Sequence, residues 1–130
     1  MAAPDLAPAP AVAASTAPAP TRGEHAVPAV IEDIERRNFD FFWELGNPRN
    51  GLVPDRWPTP SFSSIAAVGF GLTSYGVGVE RGWIPRDAAI ERTLATLRFF
   101  DSAPQDDAKT GVTGYHGFFY HFLDMQTGQR

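Results

Sequence analysis

The stretch Ser61-Phe62-Ser63-Ser64-Ile65-Ala66-Ala67-Val68-Gly69-Phe70-Gly71-Leu72, continuing through Tyr75 to Val79, decides how the chain is organised. From Ser64 onward it reads as a helix that is apolar all round, with Ser61 or Ser63 as its cap, and a helix without a polar face is a buried one. Gly69 and Gly71 each cost about 1 kcal/mol of helix propensity relative to Ala. A helix that keeps them is expected to let a neighbouring helix approach closely at those positions. The run is too short and too glycine-rich for a membrane span.

Amphipathic helices are expected on either side. From Val30 to Leu45 the residues Ile31, Ile34, Phe41, Phe42 and Leu45 fall on one stripe, with Asn38 in the remaining slot, and the acid-first pairs Glu32/Arg36 and Asp33/Arg37 occupy the outer face. Gly46, Asn47 and Pro48 stop that helix. The loop that follows runs through Asn50-Gly51 and three prolines, Pro54, Pro58 and Pro60. After Gly82 a third helix runs from Pro85 to about Phe100, with Ile90, Leu94, Leu97 and Phe99 or Phe100 facing inward. One buried helix between two amphipathic ones fits an all-α architecture in which inner and outer helical layers alternate.

The last part changes character. Gly117 to Asp124 (GFFYHFLD) is dense in β-favouring aromatics and Gln126-Thr127-Gly128 reads as a turn, so a strand of a terminal β-hairpin is expected. Alternation puts Phe118, Tyr120 and Phe122 on one face and Phe119, His121 and Leu123 on the other. The partner strand is expected to begin at Gln129-Arg130, where the sequence ends. The domain is therefore expected to be incomplete.

Composition bounds the function. The chain has 130 residues, 43% of them hydrophobic, and a net charge of -4, so charge complementarity to nucleic acid or anionic lipid is absent. Residues 1–26 are nearly all Ala, Pro, Ser and Thr and cannot bury enough surface to order themselves, so a disordered leader or linker is expected there, with the folded part at 27–130. No run is long enough to cross a bilayer, and the leader lacks the regions of an export signal. With no cysteine, neither a thiol nucleophile nor a thiolate metal site is available.

Six blocks carry a resemblance: Asn38–Trp43 (NFDFFW), Gly51–Arg56 (GLVPDR), Ser61–Leu72 (SFSSIAAVGFGL), Gly78–Trp83 (GVERGW), Leu97–Phe100 (LRFF) and Gly114–Arg130 (GYHGFFYHFLDMQTGQR). In this order they are similar to the glycoamylase-like domain, whose relatives include endo-β-1,2-glucanases and a part of cyclic β-1,2-glucan synthases. The resemblance implies a glycoside hydrolase acting on β-linked glucan and an (α/α)6 toroid, of which about three helices and the hairpin strand are present. It implies an oligo- or polysaccharide substrate, no cofactor and a periplasmic or secreted location. It also implies that an acidic segment beyond the hairpin, where essential carboxylates are expected, lies outside this sequence. A noncatalytic glucan-binding fragment or a truncated product without function are the alternatives.

Glycoside hydrolysis generally uses two carboxyl groups flanking the scissile bond. Asp55 and Asp124 are the candidates in loops. For Asp55 the alternatives are a turn cap or a pair with Arg56, and for Asp124 a turn-forming role. Asp40 and Glu44 share a helix face at i, i+4, a spacing that an exposed or Arg-paired surface explains better. Arg56, Trp57, Tyr115 and Tyr120 are candidate substrate-binding residues, because a sugar offers apolar C–H faces to aromatic rings and hydroxyls to polar groups. His116, His121 and Asp124 have no metal-ligand spacing, and no metal site is expected.

Overall fold

The structure, a computed structural model, describes residues 27–130. The expectation of a disordered leader at 1–26 falls outside the described residues. Three helices follow in order: α1 (Ala29–Glu44), α2 (Ile65–Glu80) and α3 (Arg86–Ser102), with α2 packed against both others. Four two-residue strands complete the secondary structure: β1 (Ser63–Ser64), β2 (Gly114–Tyr115), β3 (Phe118–Phe119) and β4 (Phe122–Leu123).

α2 starts at Ile65 because Ser64, and neither Ser61 nor Ser63, caps it: Ser64 Oγ accepts a hydrogen bond from the Ala67 amide at 3.2 Å. Its burial is one-sided. Ala67, Val68, Gly71, Tyr75 and Gly78 are buried, whereas Phe70 is 66% exposed and Val77 is exposed beside it. The expectation of a helix buried on every side is thus corrected, for the physical reason that, among the described residues, α1, α3, the α1–α2 connection and the terminal segment all lie against the side of α2 away from Phe70 and Val77. Of the two glycines expected to admit a neighbour, Gly71 does so, since a Cβ there would come within 3.1 Å of Val53 and 3.7 Å of Phe42. Gly69 faces open space, and Gly78 takes the second role, with Phe39 pressed against it.

That contact also re-aims α1. Its buried residue is Phe39, with Trp43 packed beside it on Tyr75, while Ile31 and Ile34 of the expected inward stripe are exposed. Asn38, exposed on that side of α1, donates back to the Ile34 carbonyl at 2.8 Å. Aromatic rings reaching over the glycines of α2 fill more volume than the aliphatic stripe could at that approach. Of the expected ion pairs Asp33/Arg37 forms, at 3.0 Å, whereas Arg36 binds Asp40 at 2.8 Å in place of Glu32.

α3 is rotated from its expected setting in the same way. Ala89 and Thr96 are buried and Phe99 and Phe100 half-buried, but Ile90, Leu94 and Leu97 are exposed. Arg92 fixes this setting. Its guanidinium lies 4.4 Å from the centre of the Trp43 ring and donates to the Trp43 carbonyl at 3.2 Å, at the C-terminal end of α1, where a cation also complements the helix dipole. Burial raises the pKa of the neighbouring Tyr75 phenol, with the Arg92 charge opposing.

The aromatic stretch 117–124 is not one strand. β3 pairs antiparallel with β2 (Gly114 opposite Phe119, Tyr115 opposite Phe118), and β4 pairs antiparallel with β1 (Ser63 opposite Leu123, Ser64 opposite Phe122). Both partners therefore lie upstream, not at Gln129-Arg130. The expected two-face alternation fails with the break at Tyr120-His121. The turn does form: the Gly128 amide donates to the Asp124 carbonyl at 2.8 Å and the Asp124 amide to the Gln129 carbonyl at 2.9 Å.

Candidate functional site

Two irregular segments meet at the end of the bundle where α1 and α3 finish and α2 begins. The first, residues 45–64, connects α1 to α2; the second, residues 103–130, follows α3. Asn50-Gly51 turns the first segment as its sequence requires, with Gly51 at φ +71°. Asn47 and Asn50 then reach across it, both donating to the Met125 carbonyl, at 3.0 and 3.3 Å. Leu52, Val68 and Leu123 form a buried cluster beneath the junction.

Above that cluster the backbone forms a narrow ribbon. Pro54 bridges Ser63, the Asp55 amide donates to the Phe62 carbonyl at 2.9 Å, and Ser63 pairs with Leu123. Ser63 and Leu123 are buried on the inner side of the ribbon. Continuing the two registers by one residue sets Asp55, Phe62 and Asp124 in a row, on three adjacent segments that strand spacing keeps about 4.8 Å apart. Phe62 and Asp124 line one cleft of about 360 Å³ together with Arg56, Pro60, Ser61 and Met125.

Each side chain of the cleft has a local reason for its place. Ser61 Oγ receives the Arg56 amide at 3.3 Å and donates to the Phe62 carbonyl at 2.9 Å, which closes the loop Arg56–Ser61. The Arg56 guanidinium stands 5.6 Å from the Phe62 ring centre, and Phe62 lies 4.4 Å from Phe122 with the rings tilted by 53°. Asp124 Oδ1 accepts from the Gln126 amide at 3.0 Å, the Thr127 amide at 2.8 Å and the Thr127 hydroxyl at 3.0 Å. These bonds favour the charged form and hold its pKa below the usual carboxylate value, the Thr127 amide contributing most.

Because the folded pKa is depressed, this contribution to stability is present above the unfolded value of 3.8 and is lost as pH falls through the folded pKa. Asp124→Ala is expected to lower the melting temperature at pH 7 and Asp124→Asn to recover part of the loss. The difference between wild type and Asp124→Asn should shrink as pH is taken below 3.8, in thermal melts followed by circular dichroism; a difference independent of pH would assign it to packing.

The remaining candidates are dispersed. Asp55 and Trp57 are exposed on the same loop, and Trp57 lines a separate hollow with Arg37, Asp40, Phe41, Glu44 and Leu45. Tyr115 is exposed on β2, its ring edge-on to His116. Tyr120 packs against the Leu52–Val68–Leu123 cluster, with the Arg130 guanidinium 4.6 Å from its ring centre. The fold thus brings Arg56 and Asp124 together and leaves Trp57, Tyr115 and Tyr120 apart from them. Sequence reading passed over Ser61, Phe62 and Met125 as lining residues, although Ser61-Phe62 stands just before the cap of α2. Among the described residues no helix is long and apolar enough to cross a membrane, and no group of three or more His, Cys, Asp or Glu residues is arranged to hold a metal.

No protein-family model matches the chain. It is 29% identical over 101 residues to the exo β-1,2-glucooligosaccharide sophorohydrolase (non-reducing end) of Parabacteroides distasonis, covering 77% of this chain and 13% of that protein. Among solved structures it is similar to a Bacteroides uniformis protein provisionally assigned as a glucoamylase, with TM-score 0.64 and 29% identity over 76% of this chain and 23% of the other. It is also similar to the endo-β-1,2-glucanase of Chitinophaga pinensis in complex with sophorotriose and glucose, with TM-score 0.61 and 25% identity over 77% and 24% of the two chains. The chain thus spans about an eighth of the curated relative's length and about a quarter of each solved chain. In sequence and in fold it resembles one part of the glucoamylase-like and β-1,2-glucanase proteins.

Proposed function

We propose that the chain is part of a glycoside hydrolase acting on β-linked glucan, with β-1,2-glucan as the substrate, and that its helices form one sector of an (α/α)6 toroid. The observation that carries this reading is the similarity over three quarters of the chain to two proteins that act on β-1,2-linked glucose chains. The position of Asp55, Arg56 and Asp124 in loops at one end of the helices supports it, since loops held by a rigid scaffold are where binding and catalytic groups gather. In this reading the sugar chain runs over the end where Asp55, Arg56 and Asp124 stand.

Asp124, held ionised, suits the part of base or of acceptor for sugar hydroxyls, and is unsuited to donate the proton to the leaving oxygen. Asp55 supplies the second carboxyl group of this chain at the same end. Arg56 offers a planar fork of donors to ring hydroxyls, and Trp57, Tyr115 and Tyr120 are the further aromatic contacts. The exposed faces of α2 (Phe70, Val77) and α3 (Ile90, Leu94, Leu97) are where neighbouring helices of the ring pack.

Hydrolysis needs carboxyl groups placed to within about 1 Å, beyond which rates fall on the order of a hundredfold. One sector of a ring does not supply that placement. Incubating the 130-residue chain with linear β-1,2-glucan, and separating the products by chromatography, is therefore expected to show binding without cleavage. Cleavage would overturn the need for the remaining ring and return the reaction to Asp40, Glu44, Asp55 and Asp124. Binding to β-1,3- or β-1,4-glucan in preference would overturn the substrate.

A further inference from the structure

We infer that Phe62 and Phe122 together form the platform on which a glucosyl residue of the glucan stacks, with Arg56 and Asp124 binding its hydroxyls; this deepens the reading above and rests on it. The two rings meet at 4.4 Å although 60 residues separate them in sequence. They are brought together by the β1–β4 pairing, which sets Ser64 opposite Phe122 and so places Phe62 diagonally across from Phe122 on the outer side of the ribbon. Neither ring is needed by the core. The inner side is filled by Ser63 and Leu123, whereas Phe62 is 40% and Phe122 48% exposed.

Exposed rings alone would say little. What distinguishes this pair is the polar equipment around it. Arg56 stands over the Phe62 ring, and among the described residues its guanidinium has no hydrogen-bond or ion-pair partner, so its donors are open to a ligand. Asp124 uses only Oδ1 to hold its turn, and among the described residues Oδ2 has no hydrogen-bond partner beside the cleft. A pyranose presents equatorial hydroxyls around its rim and C–H bonds on its faces. An aromatic floor with one fixed donor group and one fixed acceptor on the rim matches that chemistry. The cleft that Arg56, Phe62 and Asp124 line, about 360 Å³, falls in the range of ligand sites, roughly 300–1,000 Å³, and Phe122 adjoins it through its contact with Phe62.

The two rings, tilted by 53°, make an angled floor whose exposed parts are what a sugar meets, with the Arg56 guanidinium standing at one face of Phe62. Arg56 and Asp124 both line the cleft beside that floor. This site positions substrate; the carboxylates are assigned to it only as binding groups.

The test is isothermal titration of the 130-residue chain with linear β-1,2-glucopentaose, cellopentaose serving as the linkage control. Phe62→Leu and Phe122→Leu keep the apolar bulk and remove the flat ring, and each is expected to weaken binding about tenfold with an unchanged circular dichroism spectrum. Phe118→Leu is the internal control: Phe118 is 81% exposed on the other small sheet and is expected to bind as wild type does. Wild-type affinity in both Phe62→Leu and Phe122→Leu, with wild type itself binding, overturns the platform and leaves the glucan reading standing. If the wild-type chain binds neither pentaose, both fail together. If the spectrum of either variant changes, titration of Arg56→Met gives the second measurement, and an unchanged affinity there also overturns the proposal.

Discussion

Val68→Asp is expected to unfold the chain, while Phe70→Asp, two residues further along the same helix, is expected to leave its melting temperature nearly unchanged. Val68 is buried in the cluster with Leu52 and Leu123, where β4 and the α1–α2 connection close over α2. Removing its apolar side chain costs about 1.5–3 kcal/mol, and a carboxylate buried there without a partner costs several kcal/mol more or is driven to neutrality. The sum is comparable with the whole stability of a small domain, about 5–15 kcal/mol. Phe70 points away from every described element, so a charge there is solvated. Thermal melts of the two variants decide the matter. Equal loss in both would mean that the Phe70 face is covered in solution, as by self-association, and sedimentation velocity would then show the larger species.

The second large effect is expected at Gly51. Its φ of +71° is a left-handed conformation, and a Cβ placed there would lie 1.8 Å from Thr96 Oγ1 and 2.5 Å from Thr96 Cβ, on a side chain that is fully buried in α3. Gly51→Ala therefore suffers backbone strain of about 1–2 kcal/mol and a steric clash of at least similar size. A total of about 3 kcal/mol corresponds to roughly 12–24 °C in melting temperature for a domain of this size. Thr96→Gly in the same chain removes the clashing atoms but not the strain. The double variant should then lose less than the sum of the two single losses. Strict additivity in that cycle would show that Gly51 and Thr96 are not in contact, and with it that the connection does not rest on α3 as described.

Both expectations concern how the loop that carries Asp55 and Arg56 is held, and they mark where sequence reading succeeded. The Asn50-Gly51 turn was visible because a dipeptide of that kind has a local conformational preference. The three helices were visible because their apolar spacing, prolines and glycines are local signals as well. Which face of α1 and α3 turns inward was not. Phe39 displaces the Ile31/Ile34 stripe because Gly78, 39 residues later, opens a space for its ring. Asp124 shows the same division: its turn-forming alternative was legible from Gln126-Thr127-Gly128, whereas its sharing of a cleft with Arg56 depends on a pairing 60 residues long.

Read alone, residues 29–102 specify helices and the connection between α1 and α2, because hydrogen bonds between residues four apart and turn preferences act within a few residues, whereas the cap of α2 is Ser64 and neither Ser61 nor Ser63. The resemblance carried by the six blocks pointed, from the same local text, to proteins of the kind that the comparisons found similar. The burial of Leu123 and the exposure of Phe122, by contrast, belong to the fold. GFFYHFLD has the composition of one strand, but two-residue pairings with β1 and β2 satisfy its backbone at two different places, and only the positions of those partners select the break at Tyr120-His121. Tertiary structure therefore decided which aromatic rings became core and which were left, beside Arg56 and Asp124, facing solvent.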